Sequence, residues 1–351
     1  MRALLENYFN LIRRFIPSKS EETSIGLDIG AGDCKLVEVK KTGDAFELIN
    51  WTIDPVKNGD VQGTLRSVLE PLGALRKSIY TAVSGKGTLI RYIEMPRMSL
   101  GDLRNSFAIE ADKYFPFAQD QIYTDCYILD PQGKGAQMSV MAAAVKKDIV
   151  DQRVQLLTHL GVQPDFIGIN AVALANGLHV LGFREKEQTG SVVALFDMGE
   201  SVSNLTILID KLPRFTRDIF IGGRDYTKRI SNALGVSFEE AEALKRQPEG
   251  RKEEVINACE SAIMSMVQEI RLSFDYFATE KNKEVDHLFL TGGASMMENI
   301  AEIFKKTLDI PVDIWNPIAA LKISPALSSE EVGRTALKLG VAVGLALYQY
   351  D

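Results

Sequence analysis

The chain repeats one pattern of apolar runs and tight turns. Residues 24–39 read SIGLDIGAGDCKLVEV, and residues 192–205 read VVALFDMGESVSNL. Each is an apolar run, an Asp-x-Gly turn and a second run, the signature of two strands joined by a short hairpin. Each is followed by a polar turn and a third run: KKTGD leads into AFELINWT, and DKL leads into residues 214–219. A meander near the start of each half, ahead of strand–helix units, predicts a duplicated α/β architecture. The first turn is not a dinucleotide fingerprint. The second and third glycines of that motif fall out of register, and a strand rather than a helix follows.

Paired Asp-x-Gly turns also suggest a chemistry. Glycine permits backbone conformations in which successive N–H groups converge on an anion. Two such turns facing across a cleft could hold a polyphosphate. Asp28 and Asp197 would then hold Mg2+, mainly through water, because that ion sheds its hydration reluctantly. A single Asp-x-Gly is more often a plain hairpin turn, but two further glycine pairs strengthen the reading. FIGGRDYTKRI carries Gly222, Gly223 and Thr227 where a strand gives way to a helix. HLFLTGGASMMENI carries Gly292, Gly293, Ala294 and Ser295 at a second strand–helix junction. Such junctions let a flat ligand approach the backbone beside a helix N-terminus. A tight strand-to-helix turn alone also favours glycine.

Composition narrows the class. With 351 residues, 46% hydrophobic and 25% charged, the chain can fill two ordinary domains or one bilobed body. A net charge of −7 argues against general nucleic-acid binding. Cys34, Cys126 and Cys259 have neither metal nor disulfide spacing, which suits a reducing cytosol. No stretch approaches a transmembrane span, and no secretory signal is evident. Residues 1–16 read as an amphipathic helix, and Pro17 with the polar run to Thr23 reads as a linker. That helix could pack on its own body or a neighbour, lie on an anionic membrane surface, or dock on a partner helix.

Together these motifs resemble the actin-like ATPase superfamily, which includes actin, sugar kinases, heat-shock chaperones and FtsA. Two segments between the loops carry a narrower resemblance: RYIEMPRMSLGDLRNSFAIEADKYFPFAQDQIYTDCYIL and MSVMAAAVKKDIVDQRVQLLTHLGVQPDFIGINAVALAN. They resemble PilM, the actin-like family of type IV pilus assembly, and the likeness runs from residue 25 to the C-terminus. FtsA, which carries its extra subdomain at the same point, is the nearest confusable relative.

The resemblance implies a duplicated actin-like, ribonuclease H-like, two-lobed α/β fold with an inserted FtsA/PilM-type subdomain. The expected parts are an N-terminal helix and linker (1–22), a first-lobe core (23–95), the insert (96–168) and a connecting helix (169–190). The second-lobe core (191–221 and 285–324), its helical subdomain (222–284) and a C-terminal helix returning to the hinge (325–351) complete the chain.

The resemblance also implies ATP and Mg2+ as cofactors. Asp28, Gly30, Ala31, Gly32 and Lys35 correspond to the first phosphate loop. Asp197, Gly199, Glu200, Ser201 and Ser203 correspond to the second, with Gly222 and Gly223 near the phosphates. Glu242 and Lys245 fit a helix that reaches the ribose and base, although their spacing alone also suits a solvated helix face. Gly292, Gly293, Ala294 and Ser295 would flank the adenosine, and Asp28 and Asp197 would serve the metal. Two departures point to slow or negligible hydrolysis. The first loop has Ala31, Gly32, Asp33 and Cys34 where the family has serines, and Asp33 adds negative charge near the phosphates. Asn170, a candidate for positioning water, is a poor general base and equally a residue of a helix start.

The implied function is a cytoplasmic scaffold, peripheral to the inner membrane, with weak or no ATPase activity. Its expected partner is a PilN-like inner-membrane protein, bound through that protein's cytoplasmic N-terminal tail. The tail's groove is expected within residues 91–127 and 138–145, with Tyr114, Phe115 and Phe117 as candidates, although aromatic residues after a helix are more often core. Further expectations are other pilus assembly proteins as partners, membrane-surface contact through residues 1–16, and no nucleic acid. The alternatives are an FtsA-like membrane-associated filament former and a small-molecule kinase of the same superfamily.

Overall fold

The computed structural model describes residues 23–72, 78–182 and 190–350; the expected N-terminal helix, its linker and the end of the connecting segment lie outside them. Strands β1 (Thr23–Ile29), β2 (Asp33–Thr42) and β3 (Ala45–Pro55) form the first meander. β1 pairs with β2 down to Ile29 opposite Cys34, leaving Gly30, Ala31 and Gly32 as the turn. Strand β4 (Ser78–Val83) adds parallel to β1. The chain then departs through β5 (Thr88–Pro96), β6 (Ile122–Ile128) and β7 (Gln137–Lys146), and returns as β8 (Phe166–Ile169), parallel to β4.

The second meander is β9 (Val192–Asp197), β10 (Ser203–Ile209) and β11 (Leu212–Ile219), followed by β12 (His287–Thr291), β13 (Val312–Ile314) and β14 (Lys322–Ile323). The two large sheets run β14-β3-β2-β1-β4-β8 and β11-β10-β9-β12-β13. With β14 set aside, each is a three-strand meander flanked by two parallel strands, so the duplication extends to topology. Even a bulge recurs, at Glu38–Val39 and at Ile207–Leu208.

The insert is bounded differently from the expectation. β5 pairs only with β7, in a separate sheet of order β5-β7-β6, so the insert starts at Thr88 rather than at 96. It ends near 146, because Leu157 of the helix Lys147–His159 is buried with Leu27, Leu65 and Val68 in the first lobe. β14 pairs with β3 and so belongs to the first sheet, whereas the expected second-lobe core spans 285–324. Neither β5 nor β14 carries a local mark of its sheet. Only its hydrogen-bonding partner assigns each to a body.

The hinge is built on small residues. Helix Asn170–Leu181 and the C-terminal helix Gly340–Ala346 cross between the sheets. A Cβ on Gly26 would stand 2.7 Å from Ala346 N, and one on Gly344 would stand 2.5 Å from the Ala173 carbonyl carbon. Asn176 Nδ2 donates to Gly344 O at 3.0 Å, and Ser24 Oγ donates to Ala346 O. On the far side, the insert and the turn that leads into it are seamed to the second lobe. Tyr92 Oη and Thr216 Oγ1 share a 2.8 Å hydrogen bond, Arg214 Nη1 donates to Ser139 Oγ at 2.6 Å, and Gly85 N donates to Asp218 Oδ2 at 3.0 Å.

Candidate functional site

Parallel pairing aims strand ends at a common edge, and open α/β sheets bind ligands beyond their carboxyl ends. β1, β4 and β8 all end on one side of the first sheet, so the turn after Ile29 and Asn170 share that edge. In the second sheet Thr291 pairs with Asp197, which sets the loops after β9 and β12 side by side.

Gly30 N donates to Asp33 O at 3.1 Å, which closes the first turn, and Ala31 is exposed at its tip. Below it, Lys35 Nζ donates to Asp28 Oδ2 at 2.7 Å, with both side chains largely buried. Burial alone would lower the Lys35 pKa, but the adjacent Asp28 carboxylate, with Asp33 and Asp197, holds it above its ordinary value. Asp197 lies close enough to feel the same charges. Burial and then the repulsion of Asp28 push its carboxyl up to about 7, only partly offset by Lys35. The carboxyl of one lobe is thus sensitive to the Asp28–Lys35 pair of the other.

This arrangement sets a pH dependence. Between about pH 4 and pH 7 the folded chain keeps Asp197 protonated while an unfolded chain ionises it. The folded state binds more protons in that window, so the contribution is full below it and is lost as pH rises through it. Without ligand, wild type should lose up to about 4 kcal/mol relative to Asp197→Asn over that range. Urea denaturation of both proteins at intervals from pH 4 to pH 8 reads this difference. A constant difference would refute it.

The second loop is tied to the helix Gly223–Leu234. Gly223 N donates to Gly199 O at 2.9 Å and Arg224 N to Glu200 O at 2.8 Å. The Glu200 side chain meets the first loop, its Cγ 3.0 Å from where a Gly32 Cβ would stand. Ser201 lies half-buried in the turn. Ser203 is fully buried and spends its hydroxyl on Ile221 O at 2.7 Å, so it braces the loop from behind.

Glu242 and Lys245 lie on helix Phe238–Arg246, and their side chains are not a solvated face. Lys245 Nζ reaches Glu242 Oε2 at 2.5 Å, Thr227 Oγ1 at 2.7 Å and Gly223 O at 3.0 Å. Thr227 Oγ1 contacts Glu242 Oε2 at 2.6 Å. Burial works against the Glu242 carboxylate, but its bonds from Lys245 and Thr227 outweigh it and lower its pKa.

The third loop packs against the second. Gly292 has φ +90°, and a Cβ there would fall 2.6 Å from both Met198 N and Met198 O, beside the Asp197 carboxylate. Ala294 N donates to Met198 O, and Ser295 Oγ donates to Gly292 O at 2.7 Å. The sequence reading missed two cations here. Arg153 Nη1 donates to Ala82 O at 2.9 Å and feels the Asp28 charge. Lys338 Nζ donates to Asp33 Oδ2 at 2.7 Å. Neither lies in a glycine motif.

Asn170 is the first residue of its helix, at the sheet edge described above. Phe115 is 3% exposed and packs in the insert core, while Tyr114 and Phe117 are partly buried against that core. A groove of about 750 Å³ lies at the seam, lined by residues 85–91 where the chain enters the insert, by β11 and by Leu272 and Tyr276. It meets the expected tail groove only at Arg91.

Comparison with known proteins identifies the family. The model of the type IV pilus assembly protein PilM family matches residues 26–350. The chain belongs to this family. A solved PilM-PilN type IV pilus biogenesis complex superposes on this PilM-family chain with a TM-score of 0.83 at 25% identity, covering 95% of this chain and 100% of that one. MreB 5 of Spiroplasma citri bound to AMPPNP shares the fold, with a TM-score of 0.53, 11% identity and coverage of 95% and 97%. The cell division protein FtsA of Bacillus subtilis is 24% identical over 264 residues, 65% of this chain and 58% of its own length. The PilM-family chain is thus an actin-like protein of type IV pilus assembly. Among the described residues, no helix is long and apolar enough to cross a membrane.

Proposed function

We propose that this PilM-family chain is an ATP-binding scaffold on the cytoplasmic side of the pilus inner-membrane platform. It binds the cytoplasmic N-terminal tail of a PilN-like membrane protein, and nucleotide serves it as a conformational ligand. One observation carries the reading: three glycine turns converge, with Glu200 of the second against Gly32 of the first and Gly292 of the third against Asp197, around the Asp28–Lys35 pair. The donor set fits the implied cofactor, since a carboxyl held near pH 7 by burial and a like charge is one that a divalent cation would ionise. Asp28 and Asp197 would hold Mg2+, mainly through water. Among the described residues no group of three or more metal-ligating side chains surrounds them. The ion would supply charge neutralisation for the polyphosphate. Lys35 and the loop N–H groups would orient it, and the Glu242–Lys245–Thr227 network would shape the side toward the ribose and base.

Asn170, an amide at the sheet edge, supports binding over turnover. Nucleotide gripped by both lobes favours the closed state by its differential affinity for that state. The seam through Tyr92, Arg214 and Asp218 gives closure a route to the insert, where the tail is proposed to dock beside residues 91–127 and 138–145. The solved PilM-PilN complex supports that partner. Calorimetry with Mg-ATP and a PilN-like tail peptide, separately and together, tests the reading. Binding of both, with each changing the other's affinity about 5- to 150-fold, is expected. Failure of either to bind refutes that part of the proposal, and independent binding refutes the switch.

A further inference from the structure

Asp33 is the residue of the first phosphate loop that a polyphosphate should tolerate least. Its Oδ2 accepts from Lys338 Nζ at 2.7 Å, and both side chains are only 17% exposed. Lys338 lies in the single turn Ala336–Leu339. The Leu337 carbonyl of that turn accepts from Gly292 N at 2.9 Å and Thr291 Oγ1 at 3.3 Å, which fixes the lysine's backbone to the third loop. The lysine's aliphatic stem passes over Gly293, its Cε 3.6 Å from where a Cβ would stand. Glu200 crowds the same loop at Gly32, so a second carboxylate adds to the charge that must be balanced.

Resting on the nucleotide-binding reading above, we propose that Lys338 is a positioning residue of that site. It neutralises Asp33 and pins the first phosphate loop to the loop at Gly292, which makes an acidic loop compatible with a polyphosphate. Lys338 acts through Asp33, so the pair behaves as a unit. Without the lysine, Asp33 presents an uncompensated charge to the phosphates. Without both, nothing remains to be compensated.

A double-mutant cycle separates this role from direct contact with the ligand. Mg-ATP is titrated by calorimetry into the full chain, Lys338→Met, Asp33→Asn and the double variant. Lys338→Met should bind about tenfold more weakly, Asp33→Asn at least as tightly as wild type, and the double variant within about threefold of wild type. A double variant as weak as Lys338→Met overturns the proposal. Hydrogen exchange without nucleotide reads the pinning by itself. The Gly30 amide, which donates to Asp33 O, should exchange about tenfold faster in both single variants, with amides of β10 unchanged. Unchanged Gly30 exchange overturns the pinning. If wild type itself fails to bind Mg-ATP, the nucleotide reading falls and the exchange result alone decides whether Lys338 sets the loop.

Discussion

Replacing Lys35 by methionine should abolish measurable Mg-ATP binding and destabilise the protein by about 3–5 kcal/mol. The ammonium lies 2.7 Å from Asp28, whose side chain is only 7% exposed, so the substitution leaves a buried carboxylate without its ion-pair partner. Arg153 does not replace it, because its guanidinium is held by Ala82 O and Thr81 Oγ1. The same loss removes the ammonium that bonds Asp28 and offsets part of the shift at Asp197. Calorimetry measures the binding and urea denaturation the stability. Removing both partners of a buried pair costs far less than removing one. The double variant Asp28→Asn/Lys35→Met should therefore recover most of the stability and none of the binding. Recovery of binding in the double variant, or wild-type affinity in Lys35→Met, would remove the pair from the site.

Gly344→Val should cost at least about 3 kcal/mol, enough to compromise folding at physiological temperature. A Cβ at this position runs into the Ala173 carbonyl, 2.5 Å from its carbon, and the obstacle is backbone of the neighbouring helix rather than a side chain that can turn away. The C-terminal helix is also pressed against β1 through Gly26, so it cannot retreat in that direction. Gly333 provides the control. It lies in the helix Ser329–Thr335 with nothing within 4 Å of an added Cβ. Gly333→Ala should be neutral or stabilising by up to about 1 kcal/mol through helix propensity. Equal denaturation midpoints for the two variants would refute the close-packed hinge.

Much of this molecule was legible in the residues. Asp28, Gly30, Asp197, Gly199, Gly222 and Gly292 stand in short motifs because a tight turn is a local event, decided by what a few consecutive backbones and side chains allow. The repeated run lengths around those turns expressed the duplication, and alternation expressed the strands. The sequence alone therefore determined two meanders, their glycine turns and the junctions at Gly223 and Gly293.

Tertiary structure decided what those turns face. Strand β5 carries no local mark of its sheet, and its membership of the insert rests on pairing with β7. Phe115 could line a groove or fill a core by its sequence, and packing makes it a core residue. Ser203 looked like a phosphate ligand and braces Ile221. The partners Asp33 and Lys338 are 305 residues apart, and neither has a local signature of the other. Turn chemistry is written in neighbouring residues. Charge compensation, burial and close approach depend on which distant backbone the fold brings near, and that is settled only when the whole chain packs.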